Sequence, residues 1–267
     1  MSRTPAINVS NPYTEVDLQR LSTKYGEVPK YEVLVKDDKG DWNAVNTVSE
    51  GYQLIKNELV SNVIEDIKTR SGYEWHPLKD KFFDGKRYME YWMSDNDITT
   101  IKAKGGFNRT MKIGLMGLNS YDGSSSFRLL MFMCALECSN QFISQNRFGS
   151  FILRHLVNKD GSNEFNVQDA CERISTGAQE LITFAPMLKK LQSKTLELKD
   201  FQYAKTSTEM PRSRWGDVLD KIEHDSVWGL YNALTDVASN NMQGLQSLSI
   251  NEQIGQAYLE SGVYIEA

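Results

Sequence analysis

Cysteine and histidine are scarce, three of each in 267 residues. Cys134, Cys138 and Cys171 form an odd set without a Cys-x-x-Cys pair, which argues against a disulfide framework and against a four-cysteine zinc site. His76, His155 and His224 are far apart and none stands in a His-Glu-x-x-His pattern, so no metal and no other cofactor is expected. Long apolar runs are missing too. The longest, Leu129 to Leu136, is eight residues against the roughly 20 that span a bilayer, so no membrane segment is expected. The first twelve residues are polar and carry Pro5 and Pro12, with no apolar core of a secretory signal, which makes the cytoplasm the expected compartment.

Motifs of catalysis are equally sparse. No Gly-x-x-x-x-Gly-Lys-Ser/Thr loop occurs, and Lys104-Gly105-Gly106 lacks the hydroxyl residue that a phosphate loop places on magnesium. The serines of Asp122-Gly123-Ser124-Ser125-Ser126 lack the flanking glycines of a nucleophile elbow, so the loop reads as turn chemistry. Cys138 and His155 have no third residue to orient them as a nucleophile and base. Asp80, Asp84, Glu90, Asp95 and Asp97 crowd one predicted hairpin, where solvated hairpin acids are a simpler account than metal ligands. No catalytic residue is assigned, and a binding protein is expected ahead of an enzyme.

What the chain does have is apolar content, 40% hydrophobic and 10% aromatic residues, enough to offset the ordering entropy of a globular fold. The net charge of −5 disfavours a nucleic-acid partner until its distribution is considered. From Lys102 to Arg154 there are seven cations (Lys102, Lys104, Arg109, Lys112, Arg128, Arg147, Arg154) against Asp122 and Glu137, so this stretch is +5 and the remainder −10. Salt screens charges beyond about 8 to 10 Å, so a local basic surface survives an acidic total. Within it, Lys104 to Arg109 reads as a basic finger. Lys102, Lys104, Arg109, Lys112 and Arg128 are the expected phosphate contacts, and Phe107 and Tyr121 the expected stacking surfaces for bases.

Val16, Leu18 and Leu21 suggest a short helix in an N-terminal arm, residues 1–24. A strand-rich core is expected over 25–162. Tyr31–Val35 and Trp42–Val45 flank Asp37-Asp38-Lys39-Gly40, a hairpin signal. Thr47 and Glu50 have capping-box spacing before apolar positions of helical period, which predicts a helix from about Ser49 to Arg70, ending near Gly72. Asp84-Gly85 sits between two strand-like arms, and Asn119 to Ser124 between two more. The arm after that loop is apolar on both alternating faces, with Phe127, Leu129, Met131 and Met133 on one and Leu130, Phe132, Cys134 and Leu136 on the other. It should be buried on both sides. Phe148 to Val157 is a further strand candidate. From 163 to 267 the period turns helical, with a long helix through Val167 to Leu191 kinked near Pro186, another over about Ser213 to Ser239 and a short one over Ile250 to Leu259. Strands followed by helices imply an α+β fold with an antiparallel sheet.

Several of these segments carry a resemblance. Asn119-Ser120-Tyr121-Asp122-Gly123, the strand into Glu137-Cys138-Ser139-Asn140, and Arg154-His155 resemble the phage and plasmid-like proteins grouped as domain of unknown function 932. Trp228 to Asp236 is similar to the Asn-Ala-Val/Leu-Thr-Glu helix of that group, and Tyr25 to Pro29 with Tyr52-Gln53 fits its opening. The resemblance implies a phage or integrated element and thus the host cytoplasm. In outline, a strand-rich core with a basic hairpin packed on helices is also similar to Rad52-like annealing proteins, which implies a homo-oligomer on single-stranded DNA. The expected function is therefore single-stranded DNA binding or annealing in phage DNA replication or recombination. The alternative is a protein-interaction module, as a phage structural component or an inhibitor of a host defence factor.

Overall fold

The computed structural model describes residues 7–102, 108–135, 141–143, 150–155, 168–170, 172–173, 176–177, 180 and 185–264. The fold is α+β, with two antiparallel sheets in the first part and most of the helix in the second. Among the described residues no helix is long and apolar enough to cross a membrane.

The first sheet is a meander of β1 (Val16–Thr23), β2 (Gly26–Lys36) and β3 (Trp42–Ser49). The segment in which Val16, Leu18 and Leu21 suggest a helix is strand β1. Val16 and Leu18 alternate inward, and a register shift between Arg20 and Ser22 then brings Leu21 back into phase, which gives the spacing its helical look. Val33, Val35 and Val48 complete the small core beneath this sheet, and Tyr121 joins it from the second sheet.

The long helix α1 (Asn57–Ser71) begins several residues later than the capping-box spacing predicts. Thr47 and Ser49 are consumed in the β2–β3 ladder, opposite Glu32 and Lys30, and are not available as a cap. The first N–H of α1, from Asn57, is instead donated to the Tyr121 hydroxyl at 3.0 Å. The end is as expected: Gly72 takes the left-handed conformation, φ 70°, that stops the helix.

The second sheet follows the order β4 (Trp75–Phe83), β5 (Arg87–Lys102), β6 (Asn108–Ser120), β7 (Phe127–Ala135) and β8 (Gln141–Ile143), with β9 (Ser150–Leu153) also paired to β7. β7 is buried on both faces, as its double apolar pattern requires. Phe127, Leu129, Met131 and Met133 enter the main core with α1 and the C-terminal helices, while Leu130, Phe132 and Cys134 enter a second cluster closed by Leu248. Leu136 and Cys138 lie outside the described residues. Two glycines of β6 make these contacts possible. A Cβ on Gly117 would stand 2.5 Å from Val60 of α1, and one on Gly114 would stand 2.3 Å from the Phe132 ring.

The helical part shows helical residues at 168–170, 172–173, 176–177 and 180, within the helix expected from Val167, and then α2 (Ala185–Ser193), α3 (Leu198–Ser207), a 3-10 turn (Arg212–Arg214), α4 (Trp215–Asp220), α5 (Val227–Asn240) and α6 (Gly244–Gly255), which runs on into a π-helical turn (Gln256–Glu260). Residues 181–184, which lead into α2 and Pro186, lie outside the described residues, and so does the kink expected there. The single helix predicted over Ser213–Ser239 is broken between α4 and α5. Ser226 caps the new start by accepting from Gly229 N at 3.2 Å, and the chain before it lies so close that a Cβ on Gly229 would meet the His224 carbonyl at 2.3 Å.

Candidate functional site

Two regions carry the residues that the sequence singles out, and they are well separated. The first is the far end of the β5–β6 pair. β4 starts with Trp75 opposite Ser94, and the last described residue of β7, Ala135, stands opposite Met111. The β5–β6 ladder continues past both, through Thr99 with Met111 and Ile101 with Arg109 to Lys102 with Asn108. Among the described residues this is a two-stranded ribbon without a further neighbour. The sequence from Ile98 to Thr110 contains Lys102, Lys104 and Arg109 and no acid. Lys104 and Phe107 lie outside the described residues, as do the side chains of Lys102 and Arg109.

The remaining expected contacts are elsewhere engaged. Lys112, only 7% exposed, donates to the Asp95 carbonyl at 2.7 Å and pairs with Asp97 at 3.2 Å. Arg128 pairs with Glu252 at 3.3 Å. The register sets Lys112 opposite Cys134 and Arg128 opposite Leu118, so these two cations sit at opposite ends of the β6–β7 pair, about 20 Å apart at the rise of a strand. Tyr121 is 1% exposed and joins the two sheets from inside, so its ring presents no face on which a base can stack. Of the seven residues, the backbone gathers Lys102 and Arg109 on the ribbon, sets the buried, paired Lys112 at its base, and places Arg128 and Tyr121 at the other end of β6.

Four of the five carboxylates of the β4–β5 hairpin, Asp84, Glu90, Asp95 and Asp97, have local partners. Asp84 holds Arg87 in the turn, Glu90 is buried against Lys81 and Ser61, and Asp97 meets Lys112. Glu74, His76 and Asp95 come together on the surface, with His76 Nε2 and Asp95 Oδ2 at 2.9 Å, all three exposed.

The second region is a cleft of about 500 Å³ where the two sheets meet, lined by Asn46, Val48, Ser49, Tyr52, Gly123 to Ser126, Arg128, Arg154 and His155. Its construction follows from register. β9 pairs with β7 so that Leu153 faces Phe127, which delivers Arg154 and His155 to the loop between β6 and β7. That loop is held from below. Ser120 Oγ donates to the Ser125 carbonyl at 2.8 Å and accepts from Ser125 N at 2.9 Å, Asp122 accepts from Ser124 N at 2.9 Å, and Gly123 turns at φ 74°. Asn119 is fully buried and ties the loop to α1, donating to the Ile55 carbonyl and to Asn57 Oδ1 at 2.8 and 2.9 Å.

Within the cleft, His155 stacks on Tyr52, ring centroids 5.2 Å apart and planes 6° apart. Its Nδ1 lies 3.2 Å from the Gln53 carbonyl; a carbonyl only accepts, so Nδ1 carries the proton and Nε2 presents a lone pair. Burial lowers the pKa of the ring below 6.5, partly countered by the Gln53 bond, which keeps it neutral at pH 7. Burial, with help from Asp122, pushes the Tyr52 phenol up to about 12. Among the described residues nine buried side-chain atoms lack a hydrogen-bond partner, and His155 Nε2, the Tyr52 hydroxyl and Arg128 Nε are three of them. The sequence marks Tyr52 as part of a resemblance, Arg154 as one cation of a basic stretch and His155 as a base without an orienting partner; nothing in it joins the three. Their convergence depends on the β7–β9 pairing, which no local signal announces.

The chain matches the family described as Domain of unknown function (DUF932) over residues 44–254, most of its length. It belongs to that family. The matched span takes in the β6–β7 loop, Arg154-His155 and the α5 segment that resemble this group, and in DUF932 terms the cleft is where the first two meet. No curated protein and no solved structure matches the chain, so the expected similarity to Rad52-like proteins is not supported.

Proposed function

We propose that this DUF932 protein binds single-stranded DNA through the β5–β6 ribbon, in phage DNA replication or recombination within a host cytoplasm. The observation that supports the reading is the end of the β5–β6 pair: among the described residues its ladder runs on to Lys102 and Asn108 with no third strand, and the sequence from Ile98 to Thr110 has three cations and no acid. Lysine and arginine side chains along such a ribbon neutralise successive phosphates, and Phe107 supplies a stacking face that tolerates any base. Lys112 and Arg128, already paired, contribute little to this surface. A gel shift with a labelled single-stranded oligonucleotide at low and moderate salt tests the reading. Retention at low salt that weakens at moderate salt is the expected result, and a Lys104→Ala/Arg109→Ala variant should lose it for all sequences alike. Absence of any shift at low salt would overturn the reading and leave the protein-interaction module in its place.

A further inference from the structure

At the base of the ribbon, the register of β4 and β5 gathers three side chains of metal-binding type on one exposed face of the sheet. Trp75 stands opposite Ser94, and Asp95 N donates to the Glu74 carbonyl at 2.9 Å, so Asp95 is the cross-strand neighbour of Glu74. His76, two residues after Glu74, projects to the same face. One possible ligand atom from each residue lies within 4.8 Å of the other two, and all three residues are exposed. Like charges directly opposite one another weaken a sheet, and here the ladder itself sets two carboxyl groups side by side. Among the described residues no lysine or arginine pairs with either of them. Lys112 places its ammonium on the Asp95 carbonyl and on Asp97.

The imidazole separates this set from the solvated acids that are common on hairpins. His76 Nε2 lies 2.9 Å from Asp95 Oδ2, and this bond, more than any other influence, holds the Asp95 carboxyl below its ordinary value, so it is ionised at pH 7. A ring nitrogen with carboxylate oxygens suits a divalent transition ion such as zinc, whereas calcium and magnesium take oxygen ligands. In a tetrahedral zinc site with bonds of about 2.1 Å the ligand atoms stand about 3.4 Å apart, a spacing that these exposed side chains reach by small rotations. We propose that Glu74, His76 and Asp95 bind a zinc ion that clips the start of β4 to β5, with water in the remaining position. An ionised carboxylate only accepts, so in the free protein the ring proton that faces Asp95 is on Nε2; zinc at that nitrogen leaves the neutral ring with its proton on Nδ1. The proposal does not depend on DNA binding by the ribbon.

Isothermal titration calorimetry of the full chain, free of any affinity tag, with zinc and separately with calcium tests it. One zinc per chain with a dissociation constant below about 10 μM is expected, and calcium should bind at least about tenfold more weakly. His76→Ala, Glu74→Gln and Asp95→Asn each remove a ligand and should weaken zinc about tenfold or more, while His224→Ala, outside the set, should bind like wild type. Should a ligand variant fail to fold, nitrogen chemical shifts of the wild-type His76 ring provide the second measurement: the proton should lie on Nε2 in the free protein and on Nδ1 with zinc. No zinc binding, calcium binding as tightly as zinc, folded ligand variants that bind zinc like wild type, or a His76 ring that zinc leaves unchanged would each overturn the proposal.

Discussion

Tyr52 and His155 lie face to face with planes 6° apart, and the backbone carbonyl of the residue after Tyr52 holds the imidazole by its Nδ1. The ring is thereby buried as the neutral species, and its pKa lies below 6.5 because burial disfavours the cation. In the unfolded chain the same ring takes up a proton near pH 6.5. The stability due to the neutral ring is thus complete above that pH and is lost as pH falls through the lower folded value. Denaturant midpoints of wild type and His155→Asn between pH 5 and 8 check this. The wild type should lose more stability on acidification than the variant, and parallel curves would contradict the account.

The loop from Asn119 to Ser126 is held by Ser120 more than by the serines that face the cleft. Ser120→Ala removes a hydroxyl that bridges both backbone groups of Ser125 and should cost about 1 to 3 kcal/mol. Ser125→Ala removes only a bond to its neighbour's carbonyl and should cost less than about 0.5 kcal/mol. Gly123→Val forces a β-branched residue into φ 74°, with its Cβ 3.1 Å from the Asn46 amide, and should cost about 1 to 3 kcal/mol. Thermal unfolding of the three variants supplies the order.

Asn119→Asp tests the buried link to α1. The amide donates to two acceptors, the Ile55 carbonyl and Asn57 Oδ1, and a carboxylate at the same place faces both with oxygen. A loss of about 3 kcal/mol or more is expected at pH 7, with part of it recovered at a pH low enough to protonate the carboxylate. Urea unfolding at the two pH values reads the difference.

Phe132→Ala should cost about 3 to 5 kcal/mol, since the ring is fully buried and lies over Gly114, where no neighbouring Cβ can fill the space. A change below about 1 kcal/mol in chemical denaturation would contradict the two-sided burial of β7.

Elements whose pattern is strictly local were legible in the sequence, and those shaped by partners were not. The double apolar alternation of β7, the Asp84-Gly85 turn and the stop at Gly72 all report on their own backbone. β1 looked helical because a bulge resets its alternation at Leu21. The cap of α1 was misplaced because its acceptor is the hydroxyl of Tyr121, 64 residues away. The same distance in sequence hid the role of Tyr121, whose aromatic ring in a polar loop suggested a surface for bases, while the fold uses it to join two sheets. For the candidate sites, the closeness of Lys102 and Arg109 was readable because both stand within a few residues of sequence, and the β5–β6 register brings them near one another. The cleft was not, because Tyr52, Arg128 and His155 meet only through strand register.

The salt dependence of single-stranded DNA binding tests the central claim most directly. Fluorescence anisotropy of a labelled oligonucleotide, titrated with wild type and with Lys102→Ala/Lys104→Ala/Arg109→Ala over a series of salt concentrations, gives the slope of log affinity against log salt. Each phosphate contact on a single strand contributes about 0.7 to that slope, so removal of three cations should flatten it by about 2 while the fold is retained. Equal slopes for the two proteins, or no binding by wild type at the lowest salt, would contradict the account.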